Sequence, residues 1–222
     1  KWSFRPKGKD KLHYLLCNAD ESEPGTFKDR ELMRWVPHQL IEGCLIGAYA
    51  MGAEHVYIYC RGEFFEATQV LAKAVEDAYE DGILGDDVLG SGQKIDVTVF
   101  AGAGAYICGE ETALIESIEG KKGQPRYKPP FPAGYGLYGR PTTINNTESL
   151  ASIPVILPHG ADWFHELGTP NNGGSKIFCM TGHVNKPGNY EVPLGTPFAE
   201  LLELAGGVRH GHQLKAVIPG GS

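Results

Sequence analysis

Short apolar runs of strand type alternate with longer stretches of helical period through the first half of the chain. Residues 13–19 (HYLLCNA), 55–60 (HVYIYC) and 95–100 (IDVTVF) are the three strand-like runs. Between the first two, Pro37 opens a pattern that puts Leu40, Ile41, Cys44, Leu45 and Ala48 on one face and stops at Gly52. Between the second and third, residues 64–79 put Phe65, Val70, Leu71, Ala74, Val75 and Ala78 together, end at Gly82 and give way to a glycine-rich connection over 81–93. The third run passes through a glycine turn into a helical pattern with Leu114, Ile115 and Ile118 on one face and Gly120 as its stop. Crossovers this long allow parallel pairing. The predicted fold is α/β, with a doubly wound, mostly parallel sheet.

After Gly120 the periodicity breaks. Residues 121–136 (KKGQPRYKPPFPAGYG) mix proline with Lys, Arg, Tyr and Phe, a composition suited to stacking on a planar ring beside a phosphate, and expected here as an active-site lid. Pro-rich linkers and SH3-type ligands share that composition. Residues 142–147 (TTINNT) lead into a helix expected from about Glu148 to Leu157. From Ser175 two strand-like runs, 176–183 and 189–192, flank Lys186-Pro187-Gly188; a short helix over 197–204 follows, and 215–218 reads as a third strand. Hairpin, helix and strand in that order predict a small β-grasp (ubiquitin-like) unit, with a boundary near Gly173–Gly174, so that 1–173 and 174–222 form separate domains.

Composition narrows the function classes. At 222 residues the chain can bury a full core, and a net charge of -7 argues against a nucleic-acid or anionic-membrane surface. Five cysteines are widely spaced with no C-x-x-C pair, and four lie in apolar stretches, which fits buried, inert thiols in a reducing compartment. No apolar run approaches the roughly 20 residues of a membrane span, so a soluble, intracellular protein is expected. The eight histidines lack ligand spacing, and neither a G-x-S-x-G elbow nor H-E-x-x-H occurs. A start at Lys1 and a stop in Pro219-Gly220-Gly221-Ser222 suggest a piece of a longer protein.

The chemistry concentrates at the ends of the strands. The stretch 101–120 (AGAGAYICGEETALIESIEG) has strand, glycine turn and helix in the order of a nucleotide-binding unit, yet Ile107 stands where G-x-G-x-x-G needs its third glycine. Glu110 and Glu111 stand where a P-loop needs Lys and Ser/Thr, and two carboxylates there would repel a triphosphate. Carboxylates in a first turn are good helix caps, stabilising by about 0.3–1 kcal/mol each; they are also good acceptors for ribose hydroxyls or a carboxamide. Both readings stand. Asn18, Asp20, Glu21 and Glu23 follow the first strand, where α/β sheets place ligands, although solvated acidic loops are common. Asn145 and Asn146 suit a helix cap or the edge of a heterocycle.

Four runs together carry a resemblance: Asn18-Ala19-Asp20-Glu21 to Pro24-Gly25, Gly102 to Leu114, Lys128-Pro129-Pro130-Phe131-Pro132, and Pro141 to Thr147. In this order they resemble the family of FMN-binding, NADH-oxidising flavoprotein subunits of respiratory complex I (NADH:quinone oxidoreductase), over essentially the whole chain. The resemblance implies hydride transfer from NADH to FMN, then single-electron release to iron–sulfur clusters toward quinone. It implies FMN contacts at Lys1, Asn18, Asp20, Tyr106, Gly109, Glu110, Asn145, Asn146 and Thr147. It implies an NADH pocket of Phe4, Glu21, Glu23, Glu111, Lys128 and Phe131, with Tyr106 between the two ligands, the phenylalanines stacking on adenine and Lys128 meeting phosphate. No side chain need act as acid or base; Tyr106, Glu110 and Glu111 would align the cofactors.

The family's glycine-rich loop would lie before Lys1 and its 4Fe-4S cysteine run beyond Ser222. The five cysteines lack cluster spacing, so no iron–sulfur centre is expected within these residues, and FMN binding by them alone is expected to be weak or absent. The partners implied are thioredoxin-like 2Fe-2S and large iron–sulfur subunits, in the peripheral arm of a membrane complex on the cytoplasmic or mitochondrial matrix side. Two alternatives remain: the diaphorase component of an NAD-linked hydrogenase or formate dehydrogenase, and a non-catalytic docking module whose acidic loop and β-grasp unit bind protein partners.

Overall fold

The computed structural model describes residues 2–4 and 12–220. Four strands form a parallel sheet in the order β3-β2-β1-β4: β1 (Tyr14–Ala19), β2 (His55–Cys60), β3 (Asp96–Ala101) and β4 (Thr142–Asn146). Register follows the sequence, with Leu15 beside Val56 and Thr143, and Val56 beside Val97. Side chains alternate across β1. Leu15, Cys17 and Ala19 enter a core with Leu40, Cys44, Ile58 and Leu71, contributed by α2 (Pro37–Met51), β2 and α3 (Phe65–Glu80). Leu16 enters the opposite core, with Tyr59, Ile144 and the Leu114, Ile115 and Ile118 side of α4 (Glu111–Ile118). Helices thus cover both faces, as expected for a doubly wound sheet.

That topology locates a site. Strands step one way from β1 to β3, then the chain crosses back to place β4 on the other side of β1, so the winding reverses between β1 and β4. Ligands of open α/β sheets bind outside the carboxyl ends of the strands at such a reversal. Here those ends are Asn18-Ala19 and Asn145-Asn146.

Several local expectations change. Residues 142–146 form the fourth strand, although only Ile144 in TTINN is apolar; Thr142 and Thr143 are buried alongside it. The helix expected over 148–157 is two, α5 (Thr147–Ala151) and α6 (Ile153–His159), because Pro154 has no N–H to offer the preceding turn. Two further helices, α1 (Lys28–Trp35) and α7 (Ala161–Glu166), were not anticipated.

The chain divides into two compact units, residues 1–22 with 29–154, and residues 23–28 with 155–222. This division falls after Pro154, whereas the sequence boundary is near Gly173–Gly174. The second unit contains the hairpin β5 (Ser175–Met180) and β6 (Gly188–Pro193), paired antiparallel, and α8 (Phe198–Leu204). Residues 215–218 form no strand. Beyond the hairpin, one antiparallel bridge joins Val184 to Val208, and Val217 and Ile218 are exposed. Among the described residues no helix is long and apolar enough to cross a membrane.

Candidate functional site

At the winding reversal, one hydrogen-bond network joins the strand ends. Asn18 Nδ2 donates to the Gly109 carbonyl at 2.8 Å, and Asn18 Oδ1 accepts from the Asp20 amide at 3.1 Å. Thr147 Oγ1 donates to the Asn18 carbonyl at 3.1 Å, and Asn146 Nδ2 lies 3.4 Å from the same oxygen. Asn146 Nδ2 also donates to Asp29 Oδ2 at 2.7 Å, while its Oδ1 caps α5 by accepting from Glu148 N. Asn18, Asp20, Gly109, Asn146 and Thr147 are therefore brought together.

Gly109 ends a short turn, Tyr106–Gly109, that leads into α4. A Cβ there would stand 3.1 Å from the Asp20 carbonyl and 3.3 Å from Asp20 Oδ2, so only glycine lets this turn press against the end of β1 without displacement. A second close approach seats the glycine loop itself: a Cβ on Gly62, just after β2, would fall 2.5 Å from the Gly102 carbonyl.

Asp20 is 8% exposed. Its Oδ2 accepts from Ser22 Oγ at 3.1 Å, while its Oδ1 is buried without a hydrogen-bond partner. Burial raises the Asp20 pKa, and the Ser22 hydrogen bond and the Arg61 charge oppose that shift. A buried acceptor left unsatisfied costs about 1–3 kcal/mol and is the kind of group a ligand hydroxyl satisfies.

The two acidic pairs resolve differently. Glu21 is buried, and its oxygens accept from Asp29 N at 2.9 Å and Arg30 N at 3.1 Å, so it closes the start of α1 across sequence. Glu110 is the N-cap of α4: Oε2 accepts from Thr112 N at 2.8 Å, Ala113 N at 2.9 Å and the Thr112 hydroxyl. Partial burial pushes the Glu110 pKa up, but the Thr112, Ala113 and Lys128 hydrogen bonds outweigh it and hold the carboxyl below the usual glutamate range. Lys128 Nζ sits between the paired glutamates, 3.1 Å from Glu110 Oε1 and 2.7 Å from Glu111 Oε1. The acidic pair, expected as helix caps or as acceptors for a ligand, is thus bridged by the residue expected to meet phosphate.

The other predicted residues are placed as follows. Asn145 Oδ1 accepts from Trp2 Nε1 at 3.0 Å, which ties the 2–4 turn to β4. The Phe4, Tyr106 and Phe131 rings are 77%, 61% and 62% exposed, surfaces that aromatic stacking would cover. Glu23 belongs to the second unit, in a turn where Thr26 N donates to its carbonyl. Lys1 lies outside the described residues. The residue that sequence reasoning missed is Asp29: buried in α1, it takes the Asn146 amide, and nothing near it in sequence signals that partner. Among the described residues, no group of three or more His, Cys, Asp and Glu could hold a metal ion.

A doubly wound parallel sheet with a polar network at its winding reversal and a glycine turn against its first strand defines a nucleotide-binding α/β domain. Residues 1–155 match the family described as the Nuo51 FMN-binding domain, and residues 177–221 match the SLBB domain. The chain belongs to the Nuo51 FMN-binding domain family. It is 60% identical to an NADH-quinone oxidoreductase subunit of Rickettsia bellii (strain OSU 85-389), over all of this chain and 54% of that protein. Identity to the equally named protein of Rickettsia typhi (strain ATCC VR-144 / Wilmington) is 59%, over all of this chain and 53% of that one. The chain therefore spans about half the length of these relatives. Its fold superposes on an NAD+-reducing NiFe hydrogenase in the H2-reduced state with a TM-score of 0.85 and 41% identity, covering 92% of this chain and 34% of that one.

Proposed function

We propose that this chain is the flavin- and nucleotide-binding part of an NADH-quinone oxidoreductase, where electrons enter from NADH. The observation that carries the reading is the network at the β1–β4 reversal, with the buried, unpartnered Asp20 Oδ1 among a set of amide and hydroxyl groups. Such a donor and acceptor set fits the hydroxyls and carbonyls of FMN. When bound, FMN supplies hydride acceptance and one-at-a-time electron release.

The residues of this chain bind and orient. Asn18, Asp20, Asn145, Asn146 and Thr147 would hold the flavin's polar groups, and Gly109, seated against the end of β1, would add backbone contacts. Lys1 adds to that set. Tyr106, Phe4 and Phe131 offer faces for stacking. Glu111 and Lys128 take the nucleotide, with Lys128 exchanging a carboxylate partner for a phosphate. Glu110 and Glu21 act chiefly by fixing the helix starts that carry the site. No side chain moves a proton in this scheme; alignment lowers the barrier.

The 4Fe-4S cluster, the neighbouring thioredoxin-like and large iron–sulfur subunits, and a position in the peripheral arm on the cytoplasmic or matrix side belong to the same proposal. So does a division into domains 1–173 and 174–222. The relatives' identity of 60%, against 41% for the hydrogenase, favours the quinone-linked reading over a hydrogenase diaphorase. Purifying the full-length protein, identifying its flavin and assaying NADH oxidation with ferricyanide tests the proposal. Asp20→Ala should lose flavin; a wild-type protein that carries none would support a docking module instead.

A further inference from the structure

The segment that carries Lys128 and Phe131 is fixed at both ends. Upstream, Arg126 binds α4 and its C-cap three ways: its Nε pairs with Glu116 Oε1, its Nη2 lies 2.8 Å from Glu119 Oε2, and its backbone N–H donates to Thr112 Oγ1 at 2.8 Å. Its Nη1 also donates to the Gly136 carbonyl at 3.1 Å. Downstream, Thr142 N donates to the Pro132 carbonyl at 2.9 Å, which joins the segment to β4. Glu119 Oε1 accepts from Tyr138 N at 2.8 Å, so one carboxylate anchors both sides. Between these anchors, Tyr127 and Phe131 are exposed, and Lys128 reaches back to Glu110 and Glu111.

The clamp and the nucleotide-side pair share one atom. Thr112 Oγ1 accepts the Arg126 N–H and donates to Glu110 Oε2, and Thr112 is buried. The Arg126 guanidinium seats the backbone whose N–H meets Thr112, two residues before Lys128, and so sets the start of the Lys128 side chain. A lysine at 126 could not repeat this, because a point charge cannot span two carboxylates and a carbonyl as the guanidinium fork does. Residues 126–132 are thus pinned at both ends.

We propose that Arg126 is a positioning residue for nucleotide capture, holding Lys128 over the Glu110–Glu111 pair. The proposal rests on the NADH-oxidising reading above. The test is steady-state oxidation of NADH by the full-length, flavin-loaded enzyme with ferricyanide as acceptor. Arg126→Gln should raise the KM for NADH about tenfold, the scale of one lost charge-assisted anchor, with kcat within about threefold and flavin content unchanged. Arg126→Lys should fall between wild type and Gln. If Arg126→Gln does not fold, Glu116→Gln opens half the clamp and should raise KM about threefold with flavin unchanged. An active wild type with an unchanged KM in the folded variants overturns the proposal, as does a parallel fall in kcat and flavin content. A wild-type enzyme without flavin or NADH oxidation removes the parent reading instead.

Discussion

Replacing Glu110 with alanine should loosen the first turn of α4 and leave the central strand alone. The carboxylate takes two backbone N–H groups that the helix cannot satisfy itself, those of Thr112 and Ala113. Losing such a cap costs about 1 kcal/mol, and losing a negative charge beside the helix N-terminus adds about 0.3–1 kcal/mol. The Lys128 pair adds little: the side chains are 29% and 31% exposed, and exposed pairs contribute about 0–1 kcal/mol. Lys128 also keeps Glu111 as a partner. The sum is about 2 kcal/mol, or about a 30-fold rise in local opening. Glu110→Gln, which keeps an acceptor and loses the charge, should show about fivefold. Native-state hydrogen exchange of the full-length protein reads this at the Thr112 and Ala113 amides, with Leu15, Leu16 and Cys17 in β1 as the control. Unchanged exchange at Thr112 and Ala113 in Glu110→Ala would refute the capping account. The effect has a pH signature. Because the folded pKa of Glu110 is lowered, its stabilisation is complete above the ordinary glutamate range and disappears as pH falls through the folded value, so wild type and Glu110→Ala should converge in acid.

Other expectations follow from the same geometry. Asp20→Asn should stabilise the ligand-free protein at neutral pH, since burial has raised the Asp20 pKa and ionisation there opposes folding; thermal melts should show the gain together with a loss of bound flavin. Asp29→Leu removes the acceptor 2.7 Å from Asn146 Nδ2 and should cost about 1 kcal/mol in denaturant melts, with Asp29→Asn milder because its amide oxygen can still accept. Glu111→Gln should weaken NADH binding more than it lowers FMN content; equal losses would mean that Glu111 is structural. Burial pushes the Cys60 thiol up to about 12, and the Cys44 hydrogen bond together with burial holds the Cys17 thiol well above its ordinary value, so iodoacetamide should label neither until the protein unfolds.

The sequence showed some parts of this architecture clearly and concealed others for identifiable reasons. β1, β2 and β3 are legible because Leu15, Val56 and Val97 sit in apolar runs that both faces of a parallel sheet bury. β4 is not, because threonines and asparagines fill a strand whose end serves the site. α1 escapes notice because its start is closed by Glu21, seven residues before it, with no local capping signal. The same distance effect governs the site. Asn18, Asp20 and Asn146 are visible as polar residues after strands, but their meeting depends on the β1–β4 pairing. Glu110 could be read as a cap or as a ligand group, and the structure makes it a cap whose second oxygen faces Lys128. That Lys128 bridges two glutamates could not be read from 17 residues away in sequence.

The proposed function has FMN at the β1–β4 reversal, reduced there by NADH. Anaerobic titration of the full-length protein with NADH, followed by flavin absorbance, tests it most directly. Bound FMN should bleach in proportion to added NADH, with a weaker response to NADH in Glu111→Gln. A protein that carries no flavin, or whose flavin dithionite reduces but NADH does not, would contradict it.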